Sequence, residues 1–265
     1  MLPFWLSIGA LSLVQAALVA APRAAGLRLP LSVRTRWWAL LPPLSIVIVV
    51  GAIALDSASA RVLTYVALIG VPPLAALALA AIVRGSRPVL ALLVLPLFAL
   101  AWAAQGELPG EAAALALSAL ACVSLGWILA GLVPGQWLKW GIYAMAAIDA
   151  WLVGTNLLQG PNAILNAASP LGDLPRLQLA AFGSAVMGFG DLFVAATLGA
   201  LLAADRRLQL TAAGLTAVFC VSFDFLFFTL DQLPATVPVA LVLVALELGR
   251  REQLRAALRP APRRS

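Results

Sequence analysis

Histidine is absent from this 265-residue sequence, and cysteine occurs only twice. A Ser-His protease needs an imidazole base, and an H-E-x-x-H metalloprotease needs two histidine ligands, so both mechanisms are excluded. Cys122 and Cys220 lie in separate apolar runs and form no C-x-x-C pair. The sequence therefore predicts no metal site, no disulfide framework and no cofactor.

Charged residues are also scarce in this chain. They make up 11% of the residues, hydrophobic residues make up 63%, and the mean hydropathy is +1.02. An average soluble protein has about 25% charged and roughly 45–50% apolar residues. This composition excludes a soluble fold. We expect one all-α membrane domain that comprises residues 1–265.

Apolar segments of membrane-spanning length recur along the chain. A transmembrane helix needs about 20 mostly apolar residues. Nine segments approach this requirement: 2–20, 38–55, 62–83, 89–104, 112–133, 138–158, 177–203, 210–230 and 235–248. The first five helices lie in residues 1–133 and the last four in residues 134–250, and a basic tail follows at 251–265. We expect a polytopic bundle of about nine transmembrane helices.

The basic residues predict the orientation of this bundle. With nine spans and the N-terminus outside, only Arg61 and Arg176 of the 17 Lys and Arg residues fall in outer loops. Because cytoplasmic loops carry an excess of Lys and Arg, we predict an outside N-terminus and a cytoplasmic tail. The net charge of +6 follows this pattern, so the lipid bilayer, and not nucleic acid, is the expected partner. Richness in Ala, Leu and Arg favours a bacterial plasma membrane.

Three aspartates lie inside predicted spans: Asp149, Asp191 and Asp224. A carboxylate at the bilayer centre costs about 2.5–3.5 kcal/mol or more, so such a residue usually faces the bundle interior and has a function there. At a rise of about 1.5 Å per residue, Asp149 and Asp191 lie about 16 Å and about 18 Å from the cytoplasmic ends of consecutive antiparallel spans. Asp224 lies about 21 Å deep. Depth and chain order favour Asp149 and Asp191 as a pair.

Asp191 closes the sequence Gly188-Phe189-Gly190-Asp191. The two glycines remove side chains beside the acid, so another backbone or a water molecule can approach it closely. Two aspartate carboxyl groups that lie close together in space cannot both ionise easily, so such a pair holds one proton. The ionised carboxylate can deprotonate water while the protonated one polarises a peptide carbonyl. This pattern predicts a carboxylate pair that cleaves peptides.

A proline-containing segment, Gln-Leu-Pro-Ala-Thr-Val-Pro, opens the ninth predicted span at residues 232–238. Pro234 and Pro238 remove backbone donors and disfavour a helix. The remaining polar groups of such an extended segment can pair with an unwound peptide. Irregular backbone of this kind persists at membrane depth only beside protein or a water-filled cavity. We expect it to line the same site.

These motifs together resemble the presenilin and signal peptide peptidase family. The resemblance covers residues 143 to about 246, and the outside N-terminus is similar to the signal peptide peptidase branch. It implies an intramembrane aspartyl protease that cuts transmembrane helical peptides, with Asp149 and Asp191 as the catalytic dyad. It also implies an active-site loop of Pro234, Ala235 and Thr236, beside Gly188 and Gly190. The family has Tyr where Ile148 stands and Leu where Thr236 stands.

Two other functions remain open at this stage. A prepilin peptidase is also a G-x-G-D membrane protease, but that family usually has Lys two residues after the Asp, where this chain has Phe193. A proton-coupled transporter would use the three aspartates as a relay. For Asp224 itself we expect a structural role, as a protonated acid or as a partner of Asn156 or Gln178.

Overall fold

The computed structural model describes residues 2–24, 26 and 34–257, with side chains described as far as residue 249. These residues are mostly helical. The elements in chain order are α1 (Phe4–Ala20), α2 (Leu41–Leu55), α3 (Ala58–Leu77), α4 (Val94–Ala103), α5 (Leu108–Leu132), α6 (Gly135–Gly154), α7 (Gln159–Ala167), β1 (Leu179–Phe182), β2 (Ala185–Gly188), α8 (Phe189–Leu202), α9 (Arg206–Asp224) and α10 (Thr236–Ala257). The side chains of the predicted basic tail, 251–265, lie outside the described part.

Several of these helices have the properties of membrane spans. Four helical segments in the described part are long and apolar enough to cross a membrane, namely Arg36–Leu55, Ala58–Ile82, Leu108–Leu132 and Arg206–Phe228. A fifth span results if α6 and α7 count as one. Four shorter apolar helices occupy the positions of other predicted spans: Phe4–Ala20, Pro88–Ala103, Phe189–Leu202 and Thr236–Gly249. The chain is consistent with an integral membrane protein, while the count of nine spans stays a prediction.

Glycines let three helices approach closely at the centre of the bundle. A methyl group added at Gly126 of α5 would lie 2.8 Å from the backbone of Ala196 in α8. One added at Gly199 of α8 would lie 2.5 Å from the carbonyl oxygen of Val19 in α1. Small residues permit such approach in membrane proteins, where van der Waals packing holds helices together. Helix α8 is consequently the central element, and most of its side chains are buried.

The seventh predicted span, 177–203, is only partly helical, and the prediction of one continuous helix is wrong there. Strands β1 and β2 form an antiparallel hairpin in which Phe182 pairs with Ala185. The two-residue turn has a positive φ of 62° at Gly183 and not at Ser184, as in a type II′ turn. Glu111 accepts a hydrogen bond from the Gly183 N–H at 2.7 Å, and Ser7 accepts one from the Ser184 N–H at 3.2 Å. These bonds satisfy backbone groups that a helix would have satisfied internally.

The sixth predicted span, 138–158, ends earlier than expected. Helix α6 stops at Gly154, and Asn156 adopts a left-handed backbone with a φ of 58°. Asparagine tolerates this conformation better than most residues because its short polar side chain can bond locally. Its Oδ1 accepts a hydrogen bond from Gln159 at 3.0 Å. The chain therefore turns by 96° into α7.

A fully buried glutamine, Gln209 of α9, joins helices at the end of the bundle opposite the hairpin. Its Nε2 donates to the carbonyls of Pro22 and Gly199 at 2.9 and 3.1 Å. Its Oε1 accepts from Arg84 at 3.0 Å and from Arg206 at 2.9 Å. Desolvation and then the neighbouring Arg206 cation lower the pKa of Arg84. Gln209 is thus a shared acceptor for two cations that repel each other.

The close approach of α8 and α1 predicts an effect of Gly199→Ala. The added methyl group meets the backbone of Val19, and overpacking of this kind costs about 1–3 kcal/mol. Gly214→Ala is the matched control, because Gly214 has open space around it and Ala favours the helix by roughly 0.5–1 kcal/mol. Unfolding of the purified variants in detergent should show a loss for the first and none for the second. Equal stability of both would contradict the central packing of α8.

Candidate active site

Asp149 is a buried carboxylate on α6, with 5% of its surface exposed. Its Oδ2 accepts the hydroxyl hydrogen of Thr236 at 2.6 Å. The same oxygen accepts the backbone N–H of Thr236 at 3.4 Å. Thr236 is itself fully buried and is the first residue of α10. The proline-containing segment therefore reaches the first predicted site aspartate through its threonine.

Asp191 lies in the first turn of α8, directly after the hairpin. Its Oδ2 accepts the N–H of Gly188 at 3.1 Å, so the side chain caps the start of its own helix. A Cβ at Gly188 would lie 3.0 Å from this oxygen. Gly188 is exposed and Asp191 is partly exposed, in contrast to Asp149. The lack of a side chain at Gly188 thus leaves room for the Asp191 carboxylate beside the end of the hairpin.

Asp149 and Asp191 lie near each other although they belong to different helices. A Cβ at Gly190 would lie 3.2 Å from the terminal methyl of Met145, which is one helical turn before Asp149. Gly190 therefore lets α8 pack against α6 at the level of the aspartates. This contact brings the two carboxylates into one neighbourhood.

The loop residues that the sequence singled out lie around this pair. Residues 231–235 are not helical, and α10 begins at Thr236. The carbonyl of Pro234 accepts the N–H of Val237 at 3.1 Å and so starts the helix. Ala235 lies between them, and the peptide group that it shares with Thr236 touches Asp149 through its N–H. Pro234, Ala235 and Thr236 thus form one short segment beside the buried carboxylate.

A second contact joins α6 and α10 away from the aspartates. Lys139 Nζ lies 2.8 Å from Glu247 Oε1 in an ion pair. Tyr143 donates its hydroxyl hydrogen to Glu247 Oε2 at 3.2 Å. Lys139 and Tyr143 are one turn apart on α6, so they present their polar groups on one face. Helices α6 and α10 are therefore joined at two levels, by Glu247 and by Thr236.

Gln15 of α1 also belongs to this neighbourhood, and sequence reasoning missed it. Its Nε2 donates to the carbonyl of Asp191 at 3.4 Å and to the carbonyl of Ala235 at 3.2 Å. Its Oε1 accepts from the Cys220 thiol at 3.2 Å. The signal was present, because Gln15 is a lone polar amide within an apolar span. The prediction from the sequence considered ionisable side chains inside the spans, and a neutral amide is not one of them.

Asp224 lies apart from the other two aspartates. Its Oδ2 accepts the hydroxyl hydrogen of Ser12 at 2.8 Å. The expected pairing with Asn156 or Gln178 is wrong, because Asn156 bonds Gln159 and Gln178 donates to the carbonyl of Ala168. The partner of Asp224 is therefore a serine hydroxyl, which hydropathy does not single out. Ser12 lies one turn from Gln15 on α1.

Within the part of the chain that the structure describes, no group of three or more His, Cys, Asp and Glu side chains could hold a metal ion. Comparison with protein-family models, curated proteins and solved structures gives no match for this chain. Its function has to be inferred from the residues of the site. What these residues offer is a carboxylate pair between a hairpin and a non-helical segment.

The bond between Thr236 and Asp149 predicts a loss of stability for Thr236→Val. This change keeps the side-chain shape but removes the closer of the two donors to a buried acceptor, at a cost of about 1–3 kcal/mol. Unfolding measurements on Thr236→Val, Asp149→Ala and the double variant should give a coupling energy of about 0.5–3 kcal/mol.

Thr216→Val is the matched control for this experiment. Thr216 is equally buried, but its hydroxyl donates at 2.8 Å to Ala212 of its own helix. The carbonyl of Ala212 keeps its helical partner when the hydroxyl is removed, so we expect a smaller loss and no coupling with Asp149. The same coupling energy for both threonines would argue against a specific Thr236–Asp149 bond.

Proposed function

We propose that this chain is an intramembrane aspartyl protease with Asp149 and Asp191 as its catalytic dyad. The observation that carries the proposal is that Gly190, next to Asp191, packs on Met145, one turn before Asp149, while Asp149 binds Thr236 of the proline-containing segment. Two acids brought within about 4–6 Å in an apolar environment share a proton, which is the state that aspartic proteases use. The motif resemblance to the signal peptide peptidase branch adds support, and it implies transmembrane helical peptides as substrates.

The proposed reaction is general acid and base hydrolysis. The ionised carboxylate removes a proton from water, and the water oxygen forms a bond to the peptide carbonyl carbon. The protonated carboxyl polarises the carbonyl oxygen of the substrate. Transfer of a proton to the amide nitrogen then lets the C–N bond break, which yields a carboxylic acid and an amine. Water is the only co-reactant.

A substrate must be extended to reach such a pair, because a helix hides its backbone. Strand β2 belongs to a two-stranded sheet in the described part and ends at Gly188, three residues before Asp191. Its exposed positions, Val186 and Gly188, alternate with buried ones. We propose that an unwound peptide pairs with this strand, since main-chain bonds at a sheet edge give affinity without demanding one sequence.

For the membrane arrangement we propose the nine-span topology with the N-terminus outside and the C-terminus in the cytoplasm. The four shorter apolar helices supply the spans that length alone does not identify. In the seventh span the hairpin takes the place of the missing helical turns. The resulting bundle would be presenilin-like and suited to a bacterial plasma membrane.

A proton-coupled transporter is the second candidate function. Ser12, which binds Asp224, lies one turn before Gln15, which binds the carbonyl of Asp191, so helix α1 connects Asp224 with the neighbourhood of the other two aspartates. A relay of this kind would need all three acids. The role of Asp224 therefore separates the two candidates.

Cleavage of a helical substrate in proteoliposomes tests the proposal. Asp149→Asn and Asp191→Asn should each lower the rate by at least about 100-fold, the scale of a lost general acid or base. Asp224→Asn keeps a polar partner for Ser12 and should retain the rate within a few fold. Ordinary cleavage by either of the first two variants would end the protease proposal. Proton-coupled uptake that all three changes abolish would favour the transporter.

A further inference from the structure

Gln15 is a buried polar residue whose position invites a functional explanation. It is 1% exposed on an apolar helix, and both ends of its carboxamide are engaged. Burying an amide without hydrogen-bond partners is unfavourable, so the bonds of this side chain are required. A leucine would fill the same space without this requirement. The partners of the amide therefore indicate what it does.

The two hydrogens of the Gln15 amide bridge two segments that carry the proposed site. Gln15 Nε2 lies 3.4 Å from the carbonyl oxygen of Asp191 and 3.2 Å from the carbonyl oxygen of Ala235. Carbonyl oxygens only accept, so the NH₂ group has to face them. The Cys220 thiol donates to the opposite end of the amide and holds this orientation. If the amide were turned by 180°, its oxygen would face the two carbonyl oxygens and its NH₂ group would face the thiol. Only the orientation described here satisfies all three partners.

The bond to Ala235 also acts on Asp149. The carbonyl of Ala235 and the N–H of Thr236 belong to one planar peptide group. Gln15 binds the oxygen of this group, while Asp149 Oδ2 accepts its N–H at 3.4 Å. A rotation of this peptide group would break both bonds together. Gln15 is thus connected to Asp191 through one backbone carbonyl and to Asp149 through one peptide plane.

We propose that Gln15 is a positioning residue that sets the separation of the Asp149 and Asp191 carboxylates by tying the backbone of Asp191 to the Ala235–Thr236 peptide group. The inference rests on the proposed protease function for its catalytic consequence. The tether itself is a matter of structure and can be tested without a substrate. Helix α1, which lies outside the resemblance to known proteases, becomes part of the site.

The test compares Gln15→Met with Gln209→Met. Both glutamines are buried, donate to two backbone carbonyls and accept at Oε1, but Gln209 lies at the opposite end of the bundle. In proteoliposomes, kcat per folded molecule should fall about 10- to 100-fold for Gln15→Met, the scale of a misplacement of about 1 Å, with KM within about threefold. For Gln209→Met we expect kcat within about twofold, although both variants lose stability.

Hydrogen exchange provides a readout that does not depend on catalysis. In detergent, the amides of residues 231–237 should exchange about tenfold faster in Gln15→Met than in the unaltered protein or in Gln209→Met, because the peptide group has lost a partner. If the unaltered protein cleaves no substrate, the proposed function fails, and the exchange rates still decide whether the tether exists.

The inference is overturned by unchanged hydrogen exchange in residues 231–237 of Gln15→Met. It is also overturned by faster exchange with an unchanged kcat. If Gln15→Met fails to fold, Gln15→Asn replaces it, since its amide is one methylene too short to bridge both carbonyls. Equal losses of kcat per folded molecule in the Gln15 and Gln209 variants would also reduce Gln15 to a stabilising residue.

Discussion

The need to satisfy backbone hydrogen bonds away from water governs this molecule. An apolar helix meets that need internally, but a hairpin or a proline-containing segment does not. At several interruptions of the described helices near the aspartates, a polar side chain from another helix binds the open backbone group. The contacts are those of Ser7 with Ser184, Glu111 with Gly183, Ser118 with Leu177, Gln15 with Ala235, and Asp149 with Thr236. Five of the polar side chains in the described part are therefore used where the chain is irregular.

The irregular segments and the aspartates lie together for the same reason. Asp191 lies in the first turn of its helix because α8 begins only at Phe189, where the hairpin ends. Asp149 is covered on its side by Thr236, whose helix begins only after Pro234. In the proposed mechanism, the interruptions supply access and the surrounding helices exclude bulk water.

Much of this arrangement could be predicted from the sequence. Composition gives a mostly helical fold with apolar spans, and Pro234 indicates the non-helical segment before Thr236. The prediction of extended backbone as far as residue 238 is wrong, because Pro238 lies in the first turn of α10, where proline is tolerated. The hairpin could not be predicted from hydropathy, because buried strands and buried helices are equally apolar. Its one local signal was the Gly183-Ser184 turn. Gln15, the partner of Asp224 and the bend at Asn156 depend on contacts between distant parts of the chain, which composition does not report.

Gln15 and Ala235 are separated by 220 residues, and their bond has a consequence for biosynthesis. At about 5–20 residues per second, roughly 10–45 s pass between the synthesis of the first residue and that of the second. Until then, the buried amide of α1 lacks one of its acceptors, and the two aspartates lack the segment that joins them. An unfinished chain in the membrane carries both acids but lacks the threonine that binds Asp149. Completion of the last helix is therefore the step that closes the site.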